Sequence, residues 1–172
     1  MKRIHYSAIV LAIITLALQP ITAQAASTKN PYGTATVDPA APNEIILTIS
    51  KGKIKAAFAY SRLEKLKQST ISIYEPFLKK RQYFTVIPLE RLFLFAGITG
   101  KDKVFTKALN DYQFNATAQQ FIDAHAYLAI KRNGASIGYD QGGPIRIIFP
   151  DDSKWAKNLD AWNWSLSTIS VK

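Results

Sequence analysis

The chain has 172 residues, 48% apolar and 20% charged, a formal charge of +10 and no cysteine. That balance is globular and excludes a fibrous or disordered chain. The missing sulfur excludes disulfides, thiolate nucleophiles, and zinc or heavier-metal sites built on thiolates.

The chain opens MKRIHYSAIVLAIITLALQPITAQA. Lys2 and Arg3 make a positive start, Ala8 to Leu18 is unbroken apolar sequence, and Pro20 breaks it. Ala23-Gln24-Ala25 then offers the small residues a signal peptidase accepts. The apolar run is short of the ~20 residues a membrane-spanning helix needs. We expect residues 1–25 to be a cleaved signal peptide and the rest to work in the periplasm. Loss of Lys2 and Arg3 takes the charge from +10 to +8. Export argues against nucleic acid as the partner of that charge, leaving anionic small molecules, acidic proteins or membrane surfaces. Residues 26–42, with three prolines, a glycine and small polar residues, read as a flexible lead-in.

Residues 43–172 carry the pattern of one domain. Glu44 to Ser50 is a β-branched strand. Ser61-Arg62-Leu63-Glu64 matches a capping box opening a helix to about Lys67. Ser69 to Tyr74 alternates as a half-buried strand does, and Tyr83 to Ile87 is another strand. Pro88 suits the first position of a helix PLERLFLFAG ended by Gly97, with Leu89, Leu92, Phe93 and Ala96 on one face. VFTKAL is rich in β-formers. Thr117-Ala118-Gln119-Gln120 caps a short helix to about Ala124. Ala126 to Lys131 is a strand leading to an Asn133-Gly134 hairpin turn. Ile145 to Phe149 is a buried strand, and Trp162 to Val171 a final strand in which Trp162, Trp164 and Leu166 alternate. Short strands with a few small helices make this an α+β chain, mostly β, in mixed sheets.

Catalytic patterns are sparse. No nucleophile-elbow, glycine-rich phosphate loop or HExxH is present, and His125 reads as a structural or surface residue. Asp151-Asp152 after Pro150 reads as a turn. Lys79-Lys80-Arg81 reads as a solvated loop. Asn110-Asp111 makes a turn that sets up Tyr112, which has a stacking face and a hydroxyl. In YDQGGPIRIIFPDD, Gly142 and Gly143 lack Cβ atoms, so bare backbone can approach a neighbour closely. Arg146 lies among isoleucines and needs an anionic or carbonyl partner: Asp140 or Glu75 within the protein, or a ligand. Trp164 can be core or the wall of a cavity.

The succession PLERLFLFAGI, ALNDYQF, AYLAIKRNGASIGYDQGGPIRIIFPDD and WNWSLSTISV resembles the small stand-alone members of the sulfite-oxidase-like, molybdopterin-binding domain family. GGPIRIIFP with WNWSLSTISV carries most of the likeness, which runs from about Ile45 to Val171. The resemblance implies a mostly β fold with a pocket for a pterin-type or molybdopterin-like ligand. Matched to the family motifs, the pocket residues would be Tyr112, Asp140, Gln141, Gly142, Gly143, Arg146 and Trp164, with Asp140 on the pterin edge. Catalytic members ligate molybdenum through a cysteine, so in this chain the resemblance implies no protein-held metal. Some periplasmic members are thought to bind pterins and regulate the periplasmic domain of a membrane signalling protein, such as a cyclic-di-GMP synthase or phosphodiesterase. That is the function expected here. Its rivals are a molybdopterin oxidoreductase lacking the cysteine ligand and a ligand-free interaction module.

Overall fold

The structure, a computed structural model, describes residues 40–172. The expected signal peptide and most of the lead-in lie outside the described residues.

Among the described residues, ten strands form two sheets. In the first, β1 (Ile45–Lys51) pairs with β2 (Ile54–Ala59) on one side and in parallel with β10 (Leu166–Val171) on the other; β5 (Lys103–Ala108) and β6 (Gln113–Thr117) continue the sheet. In the second, β3 (Ser69–Glu75), β4 (Lys80–Pro88), β7 (Tyr127–Arg132) and β8 (Ala135–Ser136) follow one another, and β9 (Arg146–Ile148) also pairs with β7. Three short helices lie between them: α1 (Tyr60–Glu64), α2 (Leu89–Phe93) and α3 (Ala118–Asp123). The fold is α+β and mostly strand, as read from the sequence. Among the described residues no helix is long and apolar enough to cross a membrane.

Hydrophobic period sets these elements. Leu47 and Ile49 on β1, and Ile169 on β10, alternate with more exposed neighbours and expose no surface themselves. Leu89, Leu92, Phe93 and Ala96 point inward together, all at most 1% exposed. One continuous core joins both sheets and the helices. Gly97, at φ 63°, ends the 3-10 turn that follows α2. α3 has its capping box: the Thr117 hydroxyl accepts from Gln120 N, and the Gln120 side chain accepts from Thr117 N. Asn133 and Gly134 both take positive φ in the β7–β8 turn, and His125 is exposed.

Three expectations need correction. The Ser61–Glu64 box does not form, because Ala59 caps α1 and Ser61 sits inside the helix. The first amides are satisfied instead by backbone, Tyr60 N to Glu44 O at 3.1 Å and Ser61 N to Pro42 O at 2.9 Å. α1 ends at Glu64, which pairs with Lys131 at 2.8 Å. Pro88 is the cap before α2 and the last residue of β4, not the first helical residue. Trp162 to Ser165 is not strand. Asn163 N bonds Ala161 O at 2.9 Å and Ser165 takes φ 48°, so the chain turns there and pairing begins only at Leu166. β2 and β6 are hard to read from sequence: β2 is a lysine and three alanines around Ile54 and Phe58, and β6 alternates over only five residues of which Gln113 and Asn115 are poor strand formers.

Candidate functional site

Three turns meet at one end of the sheets. The β5–β6 turn carries Tyr112, the β3–β4 turn carries Phe77, and the segment leading into β10 carries Leu159, Asp160, Trp162 and Trp164. Together they line an open cleft of about 280 Å3. Its volume falls just below the ~300–1,000 Å3 common for small-molecule sites, and its walls have the required aromatic character.

Local chemistry fixes each wall. Asn110 accepts from Tyr112 N through its side-chain oxygen at 3.2 Å, and Asp111, at φ 66°, closes the turn. Leu109 N bonds Ser165 O at 2.9 Å, tying that turn to the tryptophan segment. The Tyr112 hydroxyl then spans the mouth, donating to the Asp160 carbonyl at 2.9 Å. Partial burial first, and the Asp160 charge second, push the Tyr112 phenol above its ordinary value, so it stays a donor at neutral pH. Phe77 meets Trp164 edge-on, ring centroids 3.9 Å apart. Leu159 also lines a larger groove of about 610 Å3 whose walls include Tyr74, Lys79 and Lys157. Of the basic run expected as a solvated loop, Lys79 borders this larger groove, whereas Lys80 and Arg81 begin β4, where Arg81 is engaged by Asp151 at 2.7 Å.

The motif residues divide around this cleft. Tyr112 and Trp164 share it. Gly142 lies behind Trp164: at φ 77° it passes so near that a Cβ would sit 3.4 Å from the indole. Gly143 is closer still to its own chain, since a Cβ there would stand 2.0 Å from the Ile137 carbonyl oxygen. The bare backbone of the glycine pair is used against the protein itself. Arg146 is wholly buried; its guanidinium lies 3.5 Å from Glu75, 4.8 Å from the Phe84 centroid and 5.9 Å from that of Trp164. Glu75, one of the two internal carboxylates considered, lies within ion-pair distance of it. Asp140 and Gln141 belong to a half-buried 3-10 turn that does not line the cleft, and Gln141 accepts a hydrogen bond from Arg132. In the same turn the Tyr139 hydroxyl donates to Glu44; burial, then that bond and charge, push its phenol up to about 12.

Phe77, Leu159, Asp160 and Trp162 are cleft residues that motif matching did not select, since only the fold brings their turns together. Asp160 supplies a carboxylate at the rim beside the aromatic walls. This lining suits a flat heteroaromatic ring. It offers no sulfur ligand, because the chain has no cysteine.

The fold is similar to that of the sulfane dehydrogenase SoxCD from Paracoccus pantotrophus, with a TM-score of 0.59 at 13% identity over 82% of this chain and 45% of that one. The chain thus spans less than half the length of that protein. No curated protein sequence matches it. The family of the oxidoreductase molybdopterin binding domain matches residues 51–165, about two thirds of the sequence, from β1 through the tryptophan segment. On that match the chain belongs to the oxidoreductase molybdopterin binding domain family.

Proposed function

We propose that the cleft between Tyr112 and Trp164 receives the ring of a pterin-type ligand, and that the protein is an exported, non-catalytic binding protein. In this reading its ligand state is sensed by the periplasmic domain of a membrane signalling protein, such as a cyclic-di-GMP synthase or phosphodiesterase. The observation that carries it is an aromatic cleft in a molybdopterin-binding domain whose sequence has no cysteine to hold a metal. Tyr112, Trp162 and Trp164 supply faces and edges for stacking. The pterin edge presents an amide and an amino-pyrimidine, which a carboxylate receives through two hydrogen bonds. That role passes from Asp140 to Asp160, the carboxylate residue that borders the cleft. Titration with neopterin, a fluorescent pterin, tests it. Saturable binding that Trp164→Ala abolishes and Asp160→Asn weakens supports the proposal, and no saturable binding overturns it.

Family membership favours a second reading, a molybdopterin-dependent oxidoreductase whose metal lacks a protein thiolate. A bound dithiolene-held molybdenum would supply two-electron redox chemistry. The chain's own part would be limited to holding the pterin by the same aromatic walls. Stoichiometric molybdenum in the protein purified from its native compartment would favour this reading over the first.

A further inference from the structure

A second concavity lies apart from the aromatic cleft, with no lining residue in common. Leu94 and Phe95, in the 3-10 turn Leu94–Ala96 after α2, form one wall with Arg91. Leu66 and Lys67, after α1, form the other, and buried Ile87 of β4 is the floor, enclosing about 400 Å3. Leu94 is 72% exposed, the highest value among the exposed large apolar side chains, and Phe95 is 40% exposed. An apolar groove with so prominent a wall marks a contact surface more than a solvated one.

Its charge is one-sided. The two charged residues in the lining are Lys67 and Arg91. A third cation, Arg62, lies beside the same wall, its guanidinium 4.4 Å from the Phe58 ring centre and 5.6 Å from that of Phe95. Of the nearby acids, Glu64 is engaged by Lys131, and Glu90 is exposed but outside the lining. A second copy of this chain, at +10 in full and still +8 without Lys2 and Arg3, would bring more positive charge to a positive rim. Two walls and a buried floor suit inserted side chains.

We propose that this groove docks an acidic amphipathic segment of a partner protein, its apolar side chains seated between Leu66 and Leu94 and its carboxylates facing Lys67 and Arg91. Recognition is of the helix-in-groove kind, with charge setting orientation and encounter rate. The inference does not depend on pterin binding, and neopterin titration of the same variants separates the two.

The probe is a fluorescein-labelled amphipathic peptide of about four helical turns, with leucines on one face and glutamates on the other, read by polarisation. We expect saturable binding that weakens with salt, roughly tenfold or more loss in Leu94→Ser and in Lys67→Glu/Arg91→Glu, and no binding of the same peptide with lysines for glutamates. Equal affinity for both peptides, or affinity unmoved by both variants, overturns the proposal. It is also overturned if the acidic peptide fails to bind. In that case, Leu94-dependent binding to vesicles of equal parts phosphatidylcholine and phosphatidylglycerol would assign the surface to lipid. A concentration-dependent dimer lost in Leu94→Ser would assign it to a second copy.

Discussion

Arg146 and Glu75 face each other at 3.5 Å in the interior, and neither side chain exposes any surface. The other Glu75 oxygen accepts from Leu78 N at 3.0 Å, so one buried carboxylate holds both the cation and the turn that carries Phe77. Removing one partner of such a pair leaves a buried charge uncompensated. Arg146→Met should therefore cost about 3–5 kcal/mol, while Arg146→Met/Glu75→Leu should recover part of the loss. Urea unfolding of the three proteins checks this. A single substitution costing less than about 1 kcal/mol would show that the pair adds little.

Gly143 has no room for a methyl group. The clash with the Ile137 carbonyl is with backbone and cannot be relieved by a rotamer change. Gly143→Ala should destabilise by at least about 2 kcal/mol, in the range of forced overpacking or beyond it. Gly142→Ala meets a lesser contact at Trp164 but also a positive φ, so it should cost more than about 1 kcal/mol. It should perturb tryptophan fluorescence as well, because the added methyl presses on the indole. Thermal unfolding, with emission spectra recorded below the transition, separates the two cases.

Tyr139 links the 3-10 turn to Glu44 at the start of β1, and its phenol is raised from 10.0 to about 12. The folded chain therefore holds this proton across a range where the unfolded chain has released it. Burial first, and the Glu44 bond and charge after it, favour the protonated phenol in the folded chain, so the stability linked to this proton is complete below pH 10 and is lost as pH rises toward 12. Melting temperatures of the wild type and Tyr139→Phe, compared from pH 8 upward, should show the wild type falling more steeply above pH 10. Parallel curves would mean that folding does not shift the phenol.

Much of the architecture was legible because local pattern and tertiary burial agree. PLERLFLFAG places its apolar residues on one helical face, and that face is buried. Thr117 and Gln120 satisfy each other within one turn, so their cap needed no distant information. Ser61 and Glu64 offered the same pattern, but the helix starts one residue before Ser61, at Tyr60, and Ser61 N is already taken by the Pro42 carbonyl, which a local motif cannot register. Trp162 and Trp164 alternate as strand residues do, yet the positive φ at Ser165 turns the chain there without a glycine to announce it. The partner of Arg146 was narrowed to two carboxylates, and choosing Glu75 required its position across the second sheet. The cleft was legible only through Tyr112 and Trp164; Phe77 and Asp160 reach it from turns far apart in sequence.

The Tyr112–Asp160 contact separates two roles within the proposed site. The hydroxyl fastens the β5–β6 turn to the segment before Trp162, whereas the ring forms a wall of the cleft. Tyr112→Phe removes the fastening and keeps the wall. Tyr112→Ala removes both. If the cleft takes a pterin, Tyr112→Phe should bind neopterin within a few-fold of the wild type, because an exposed neutral hydrogen bond is worth only about 1 kcal/mol. Tyr112→Ala should lose roughly three- to tenfold more, the value of an aromatic contact of ~0.5–1.5 kcal/mol. Asp160→Asn keeps the backbone carbonyl that accepts from Tyr112 and removes only the charge, so its loss measures the carboxylate's hold on the pterin edge. Fluorescence titration of the three variants at one ionic strength supplies the comparison. Should Tyr112→Ala and Asp160→Asn both bind as the wild type does, the ring does not lie in this cleft.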